Sequence, residues 1–254
     1  MVNRRFDAVF FDLGYTLLDL VPFDGLVSRL CAEHGVGLSP EDVAQLHRGI
    51  DREIAAFQPS GRACSLFTAP LDDCRCFWLS LFQRILDASG KGYPGHLPEA
   101  LYERFTHGES GRIYPDVAAT LTALRSAGIR AGVISDWEVW CEAMLKEMEL
   151  YPLLDFALIS GALGMEKPSP HLFRMALERA GVPAERALHV GDDPALGCDA
   201  ALAMGITPIL LDRSGRHPVS SCLRMADLIS LPDWVLGGRL GLVQDRIRVW
   251  TVSC

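Results

Sequence analysis

Carboxylates, a hydroxyl and a lysine follow apolar runs at four separate points of the chain. Asp12 ends "AVFFD", Ser135 ends "AGVIS", Lys167 lies in "MEKPSP", and Asp192 and Asp193 follow "ALHVG". Two carboxylates from different segments can hold a hard cation such as Mg²⁺. A lysine and a hydroxyl can bind the remaining oxygens of a phosphoryl group, and a carboxylate facing that group can be the nucleophile. The set predicts phosphoryl-transfer chemistry if the fold brings the four segments together.

Each of these residues also has a purely structural interpretation. An Asp after a strand is often a turn or N-cap residue, and Ser135 can cap a helix that begins at residue 137. The segment "EKPSP" around Lys167 can be an ordinary loop that leads into a helix started by proline. Four such signals in regular order favour a common site over coincidence.

The apolar periodicity predicts the elements that would position these residues. Ala8–Phe11 is continuous, apolar and typical of a buried strand. Helical and strand patterns then alternate, with helices predicted at 115–127, 138–150, 169–181 and 195–205 and strands at 129–135, 153–160, 186–190 and 207–211. This alternation predicts an α/β fold with a doubly wound parallel sheet, in which ligands bind at the carboxyl ends of the strands.

Residues 20–112 carry a different, helical pattern. Ser39 is a predicted N-cap with Pro40 at the first helical position, and two further helices are predicted within 69–90 and 97–108. We therefore predict an α-helical cap at 20–112, a core at 1–19 and 113–235, and a C-terminal extension at 236–254. The alternating residues of "RIRVWTVSC" in that extension suggest a short strand at a sheet edge or in a dimer.

Composition excludes several classes of protein. The 254 residues are 49% hydrophobic and 22% charged, which is ordinary for a folded soluble domain and wrong for a disordered one. The net charge of −8, without a long block of Lys or Arg, disfavours nucleic acid and anionic membranes as partners. Apolar runs are shorter than the ~18–20 residues of a membrane span. Eight scattered cysteines without a secretory signal predict reduced thiols in a cytoplasmic protein. We expect the protein to be a monomer or a homodimer.

Four segments together resemble the motifs of the haloacid dehalogenase superfamily, in the subfamily with a helical cap inserted after the first motif. They are "VFFDLGYTLLD", "VISDW", "GMEKPSPHLF" and "HVGDDPALGCDAALAMGI", and the resemblance covers about residues 6–18 and 113–212. It implies a Rossmann-like core and hydrolysis of a small phosphorylated substrate.

The resemblance also implies roles for single residues. Asp12 would be the nucleophile that becomes an aspartyl-phosphate, and Mg²⁺ would be held by Asp12, the main-chain carbonyl of Gly14 and Asp192. Ser135 would donate a hydrogen bond to the phosphoryl group, and Lys167 would offset its charge. Thr16, in the turn of the first motif, would belong to the substrate site.

The first motif departs from the family pattern at Gly14. Phosphatases of the superfamily usually carry a second Asp there, which acts as acid and base for the leaving group. Losing a general acid typically costs ~10²–10⁴ in rate. Tyr15, Asp19, a cap residue or a metal-bound water can be imagined as the replacement, and the sequence does not choose among them.

The fourth motif departs as well, because the later Asp of the family falls on Leu196 or Gly197. We predict that Asp193 replaces it in the metal site, and we interpret Asp199 as a solvated helix residue. In the second motif, Asp136 stands where Asn is frequent, which adds a negative charge near the predicted phosphate site.

Three functions remain compatible with these residues. The first is a Mg²⁺-dependent hydrolase of small phosphate monoesters. The second is a non-catalytic or regulatory member of the superfamily, which Gly14 motivates, and the third is a metal-independent 2-haloacid dehalogenase, which does not need an acid at this position. Arg29, Arg52 and Arg62 in the cap can bind a second anionic group, although solvated helix faces are the commoner place for such arginines.

Overall fold

The strand that ends at Asp12 lies in the middle of a parallel sheet. The computed structural model describes residues 4–48, 65–217 and 222–237. Within these ranges the strands are β1 (Ala8–Phe11), β2 (Leu18–Leu20), β3 (Gly111–Ile113), β4 (Arg130–Ser135), β5 (Phe156–Ile159), β6 (Ala187–Gly191), β7 (Thr207–Leu211) and β8 (Leu223–Met225). Six of them form one parallel sheet in the order β5-β4-β1-β6-β7-β8.

Helices cover both faces of this sheet. The helices of the described ranges are α1 (Phe23–Glu33), α2 (Pro40–His47), α3 (Leu71–Ala88), α4 (Leu97–Arg104), α5 (Val117–Ser126), α6 (Cys141–Glu147), α7 (Ser160–Leu163), α8 (Pro170–Ala180), α9 (Ala200–Ala203) and α10 (Leu231–Val235). Side chains alternate across β1, so Val9 and Phe11 join the hydrophobic cluster with α5, α6 and α10, whereas Ala8 and Phe10 join the cluster with α8 and α9. The predicted α/β, Rossmann-like doubly wound core is confirmed.

Several element boundaries differ from the sequence prediction. The helix predicted at 138–150 begins only at Cys141, and the strand predicted at 153–160 is shortened because Tyr151–Leu153 forms a 3₁₀ turn. The helix predicted at 195–205 divides into a π-helical turn at Pro194–Asp199 and the short α9. Strands β2, β3 and β8 were not predicted, because three residues are too few to show a period.

The helices between β2 and β3 have a hydrophobic core of their own. Leu26, Leu30, Trp78, Phe82 and Leu101 are buried there, separately from the two clusters on the sheet. The predicted N-cap of α2 is confirmed as a capping box, since the Asp42 amide donates to Ser39 Oγ (3.1 Å) and the Ser39 amide donates to Asp42 Oδ2 (2.9 Å).

The chain enters and leaves this helical segment through an antiparallel strand pair. Leu18 pairs with Ile113 and Leu20 with Gly111, so β2 and β3 hold the two crossings side by side. The predicted cap boundaries at residues 20 and 112 fall in this pair and stay predictions.

Some predicted features lie outside the described ranges. They are Arg52, Arg62, the second half of the helix that starts at Pro40, and the tail strand within 238–254. Within the described ranges, every helix is too short or too polar to cross a bilayer.

Candidate active site

Asp12 and Lys167 form a buried ion pair at the floor of a cavity of about 400 Å³. Lys167 Nζ lies 2.9 Å from Asp12 Oδ1, and the two side chains are 3% and 12% exposed. The amide of Leu13 donates to the same Oδ1 at 2.8 Å, and the Asp12 amide continues the sheet by donating to the carbonyl of Val190. No hydrogen bond from the described residues reaches Asp12 Oδ2, so this oxygen is available to a ligand.

Ser135 and Asp136 enter the cavity from the end of β4. Ser135 is buried at the last position of the strand, and the carboxylate of Asp136 accepts a hydrogen bond from the Lys167 amide at 2.9 Å. The Trp137 amide donates to Ser160 Oγ at 2.8 Å, so Ser160 and not Ser135 satisfies the next amide along the chain. The interpretation of Ser135 as a helix cap is wrong, because α6 begins only at Cys141.

Asp192 follows β6 and lines the same cavity, beside Asp193. Asp193 is the N-cap of the π-helical turn, since its Oδ1 accepts hydrogen bonds from the amides of Ala195 and Leu196 at 2.8 Å each. This capping role explains an Asp at that position without a metal, so Asp193 as a metal ligand stays a prediction that its geometry does not favour. Asp199 is exposed, as predicted.

Two carboxyl groups of the cavity, those of Asp192 and Asp136, are destabilised as anions. Burial, and then the negative charge of Asp12, raise the pKa of Asp192 to about 6. Burial also raises the pKa of Asp136 to about 6, against the opposing effect of its hydrogen bond from the Lys167 amide. Arg216 lies 3.7 Å from Asp192 Oδ2, but its side chain is 57% exposed and compensates little of this repulsion.

This charge distribution fits a hard divalent cation. Asp12, Asp192 and the main-chain carbonyl of Gly14 offer oxygen donors, and a cation between the two carboxylates would relieve their mutual repulsion. Among the described residues, no three His, Cys, Asp or Glu side chains cluster as metal ligands. Mg²⁺ is usually held by one or two carboxylates together with water and substrate oxygens, so a pair of carboxylates is sufficient for it.

Gly14 has no side chain at the position where the resemblance leads one to expect the acid of the first motif. A Cβ at Gly14 would lie 3.4 Å from Leu20 Cδ1 and 3.8 Å from Trp137 Cζ3, which are ordinary van der Waals contacts. Of the replacements considered from sequence, Tyr15 lines the cavity and is 42% exposed. Asp19 is directed elsewhere, because it accepts a hydrogen bond from the Tyr114 hydroxyl at 3.2 Å and lines a neighbouring cavity.

The prediction for Thr16 does not fit its position. Thr16 is fully buried and does not line the cavity, and its hydroxyl has no hydrogen-bond partner among the described residues. Its carbonyl accepts hydrogen bonds from Arg213 at 2.9 and 3.1 Å, and Arg213 also forms a two-point ion pair with Asp116. Thr16 therefore lies in the turn of the first motif, and its place in the substrate site stays a prediction that this position does not favour.

His189 is a buried residue that sequence reasoning overlooked. It lies in β6 with no exposed surface, and a Cβ on Gly191 or Gly197 would come within 3.0 or 3.3 Å of its ring. Burial, and then the charge of Lys167, lower the pKa of His189 to about 3, so the ring is neutral. The two glycines thus make room for a neutral imidazole behind the ion pair, and its place inside an apolar run gave no sequence signal.

The wall of the cavity opposite the ion pair is aromatic, and it too was not predicted. Phe67, Trp78 and Phe105 come from the helical segment, and Trp137 and Trp140 come from the loop after β4. Glu138, which follows Trp137, is only 3% exposed and accepts a hydrogen bond from Trp78 Nε1 at 3.1 Å. The dense pattern "WEVW" after the second motif was the only signal in the sequence.

Comparison with known proteins gives this site its family. Residues 6–205 match the model of the haloacid dehalogenase-like hydrolases. Haloacid dehalogenase-like hydrolase domain-containing protein 3 of Danio rerio is 29% identical over 189 residues, which are 73% of this chain and 76% of that protein. Phosphoglycolate phosphatase of Rhodospirillum rubrum is 31% identical over 236 residues, or 90% of each chain.

A solved structure agrees with this relationship. The 2-haloacid dehalogenase from Pseudomonas syringae pv. Tomato DC3000 has a TM-score of 0.62 and 26% identity, covering 91% of this chain and 98% of that one. The chain thus shares its doubly wound core with a hydrolase. The chain belongs to the haloacid dehalogenase-like hydrolases. Phosphatases and dehalogenases are both among its relatives, so the fold does not by itself choose the reaction.

Proposed function

We propose that this protein is a Mg²⁺-dependent hydrolase of small phosphate monoesters and that Asp12 is its nucleophile. The observation that carries the proposal is the buried Asp12–Lys167 pair at the floor of a cavity that Ser135 and Asp192 also line. Relatives named as phosphoglycolate, phosphoserine and ribulose-1,5-bisphosphate phosphatases support the same class of reaction.

In the first half of the reaction, a carboxylate oxygen of Asp12 attacks phosphorus. An O–P bond forms to Asp12, the ester O–P bond breaks, and the leaving oxygen takes up a proton from solvent or from an acid of the site. Lys167 holds the Asp12 carboxylate in place through Oδ1 and offsets the negative charge that builds up on the phosphoryl oxygens. Ser135, at the end of β4, donates its hydroxyl hydrogen to one of those oxygens.

In the second half, water attacks the phosphorus of the aspartyl-phosphate. The bond between Asp12 and phosphorus breaks, inorganic phosphate leaves, and the carboxylate is restored. Asp12, the Gly14 carbonyl and Asp192 would hold Mg²⁺, which when bound would supply positive charge against the repulsion between an anionic nucleophile and an anionic phosphoryl group.

A 2-haloacid dehalogenase is less well supported. It would use Asp12 on carbon without a metal, and Gly14 is compatible with it. The mutual repulsion of Asp12 and Asp192 favours a bound cation, and the exposed Arg216 is too weak a substitute.

The proposal is tested by phosphate release from p-nitrophenyl phosphate with Mg²⁺ and with EDTA. We expect Mg²⁺-dependent turnover that Asp12→Asn abolishes, whereas Asp199→Asn, which changes an exposed carboxylate further along the fourth motif, keeps the wild-type rate. Halide release from 2-haloacids in EDTA would establish the dehalogenase instead. Inactivity towards both classes of substrate would favour a non-catalytic protein.

A further inference from the structure

The part of the cavity above the ion pair is an aromatic chamber, which we define by Phe67, Trp78, Phe105, Trp137 and Trp140. The ring centroids of Trp78 and Phe105 are 4.5 Å apart, those of Phe105 and Trp140 5.8 Å, and those of Trp137 and Trp140 5.9 Å. The four rings joined by these contacts therefore form a continuous aromatic wall, and Phe67 lines the same cavity.

One carboxyl group, that of Glu138, lies within this apolar wall. It is 3% exposed, and Trp78 Nε1 donates to it at 3.1 Å. No cationic side chain of the described residues pairs with it, and burial raises its pKa to about 7. Burying a carboxyl group without a countercharge is costly, so a cation from a ligand would stabilise its ionised form.

The backbone that carries Glu138 is held rigidly. The Gly161 amide donates to the Trp137 carbonyl at 2.9 Å, and Ser160 Oγ accepts from the Trp137 amide. A Cβ on Gly161 would come within 2.2 Å of the Val139 nitrogen, so the two segments touch through their main chains. Glu138 is therefore placed by packing and is part of a preformed site.

The balance of charge around the whole cavity also favours a cation. Of the described residues that line it, five carry carboxyl groups and one carries an ammonium group; the acidic ones are Asp12, Asp136, Glu138, Asp192 and Asp193, and the basic one is Lys167. A substrate with a carboxylate or a second phosphate on its leaving group would meet the charge of Glu138 and be repelled.

We propose that the aromatic chamber binds an ammonium group of the leaving alcohol, so that the substrate is an amino-alcohol phosphate monoester. The π faces attract the cation and Glu138 neutralises it, while the phosphoryl group lies against Asp12 and Lys167. A quaternary ammonium group suits this wall best, because it is weakly hydrated and needs no hydrogen-bond acceptor. This inference rests on the proposed phosphatase function and deepens it.

The experiment compares two esters of the same shape, phosphocholine and its uncharged carbon isostere 3,3-dimethylbutyl phosphate. Their leaving groups differ in charge, so the ratio of the two kcat/KM values reports the recognition of the ammonium group. We expect a ratio of roughly tenfold or more for the wild-type protein. Glu138→Gln keeps the size and the acceptor for Trp78 and should reduce this ratio to about one, whereas Glu178→Gln, an exposed control, should leave it unchanged.

A binding measurement supplies a readout besides turnover. Tetramethylammonium chloride should change the tryptophan fluorescence with saturation, because three of the indoles face the site, and an equal concentration of NaCl should not. Trp78→Phe, which keeps an aromatic ring but removes the donor to Glu138, should weaken this titration. Thermal unfolding of each variant identifies one that fails to fold.

The outcomes separate this inference from the function on which it rests. If p-nitrophenyl phosphate is hydrolysed but the ratio is one or lower in the wild type, or is the same in Glu138→Gln, the ammonium site is wrong and the phosphatase stands. Faster hydrolysis of an ester with an anionic leaving group than of phosphocholine would also overturn it. If no phosphate ester is hydrolysed while tetramethylammonium binds in a Glu138-dependent way, the phosphatase fails and the cation site stands.

Discussion

At the scale of single residues, the site has a buried carboxylate–lysine pair but lacks an acidic side chain at position 14. Asp12 and Lys167 make the buried ion pair on which the proposed chemistry depends, and Gly14 has no side chain that could act as the acid for the leaving group. An aryl leaving group needs little protonation, so aryl phosphates should react faster than alkyl phosphates of similar size.

Restoring the acid tests this interpretation of Gly14. The variant Gly14→Asp has room for its Cβ next to Leu20 and Trp137. We expect its kcat on alkyl phosphates to increase, by at most the ~10²–10⁴-fold that a general acid contributes. The increase for p-nitrophenyl phosphate should be smaller. Gly14→Asn is the matched control, because it adds the same volume without an acid. An equal effect of Asp and Asn on the alkyl esters would mean that another group already donates the proton.

Glu138 gives a prediction about stability and pH. Its pKa is about 7 in the folded protein against an ordinary 4.5, so the folded state holds this proton more tightly than the unfolded state does. Its contribution to the free energy of unfolding is therefore largest at low pH and is lost as the pH rises from about 4.5 through 7. Relative to wild type, Glu138→Gln should gain about 3 kcal/mol between pH 4.5 and pH 8.

Chemical denaturation at both pH values measures this difference. Glu178→Gln serves as the control, since an exposed carboxyl group should show almost no such gain. A Glu138→Gln variant whose relative stability is the same at both pH values would contradict the buried, unpaired state of this carboxyl group.

The sequence revealed some of these residues and concealed others for a physical reason. Asp12, Ser135 and Asp192 were found because a polar residue directly after an apolar strand is visible in one dimension. Glu138 was missed because its burial comes from contact with Trp78, 60 positions away in the chain. His189 was missed because the glycines that accommodate it acquire that role only in the folded sheet.

At the scale of elements, the loop after β4 and the start of α7 form one packed unit. Gly161→Ala should destabilise the protein by a few kcal/mol, because its Cβ would overlap the backbone at Val139, and overpacking typically costs ~1–3 kcal/mol or more. It should also raise KM by displacing Glu138 and Trp137 from the cavity wall.

The matched control is Gly25→Ala in α1. A Cβ there meets nothing within 4 Å, and Ala is favoured over Gly in a helix by about 0.5–1 kcal/mol, so this variant should be slightly more stable than wild type. Melting temperatures of the two variants give the comparison. Equal effects of both substitutions would mean that the contact at Gly161 is not tight.

Regular elements were predicted well where they are long or strongly apolar. β1 and β7 have the predicted bounds, since each has a continuous apolar run that ends at a polar or glycine-containing segment. The pair of β2 and β3 was beyond prediction, because the two strands of three residues pair across the whole helical segment. These residues form strands because they pair with each other in the folded protein, and their local sequence pattern does not show it.

At the scale of the molecule, the helical segment contributes directly to the site. Trp78 donates to Glu138, and Ser65 hydrogen-bonds to Glu166 next to Lys167. Arg29, by contrast, is committed to ion pairs with Glu33 and Glu109 on the surface, as the interpretation of a solvated helix face expected. The segment thus lines the cavity mainly with aromatic rings.

Metal binding should be visible in the stability of the whole protein. A ligand that binds only the folded state raises its melting temperature by mass action, so Mg²⁺ should raise it and EDTA should reverse the effect. Asp192→Asn should lose most of this shift, and Asp199→Asn, the exposed control, should retain it. A shift of the same size in Asp192→Asn would place the metal elsewhere.

The central claim is that Asp12 takes up the phosphoryl group. Its most direct test is acid quenching of the protein during turnover of p-nitrophenyl phosphate with Mg²⁺, followed by mass spectrometry of the peptide that contains Asp12. We predict a fraction of this peptide that is heavier by one phosphoryl group, absent in EDTA and absent in Asp12→Asn. Mg²⁺-dependent phosphate release at the wild-type rate from Asp12→Asn, or a phosphoryl group on another residue, would contradict the account.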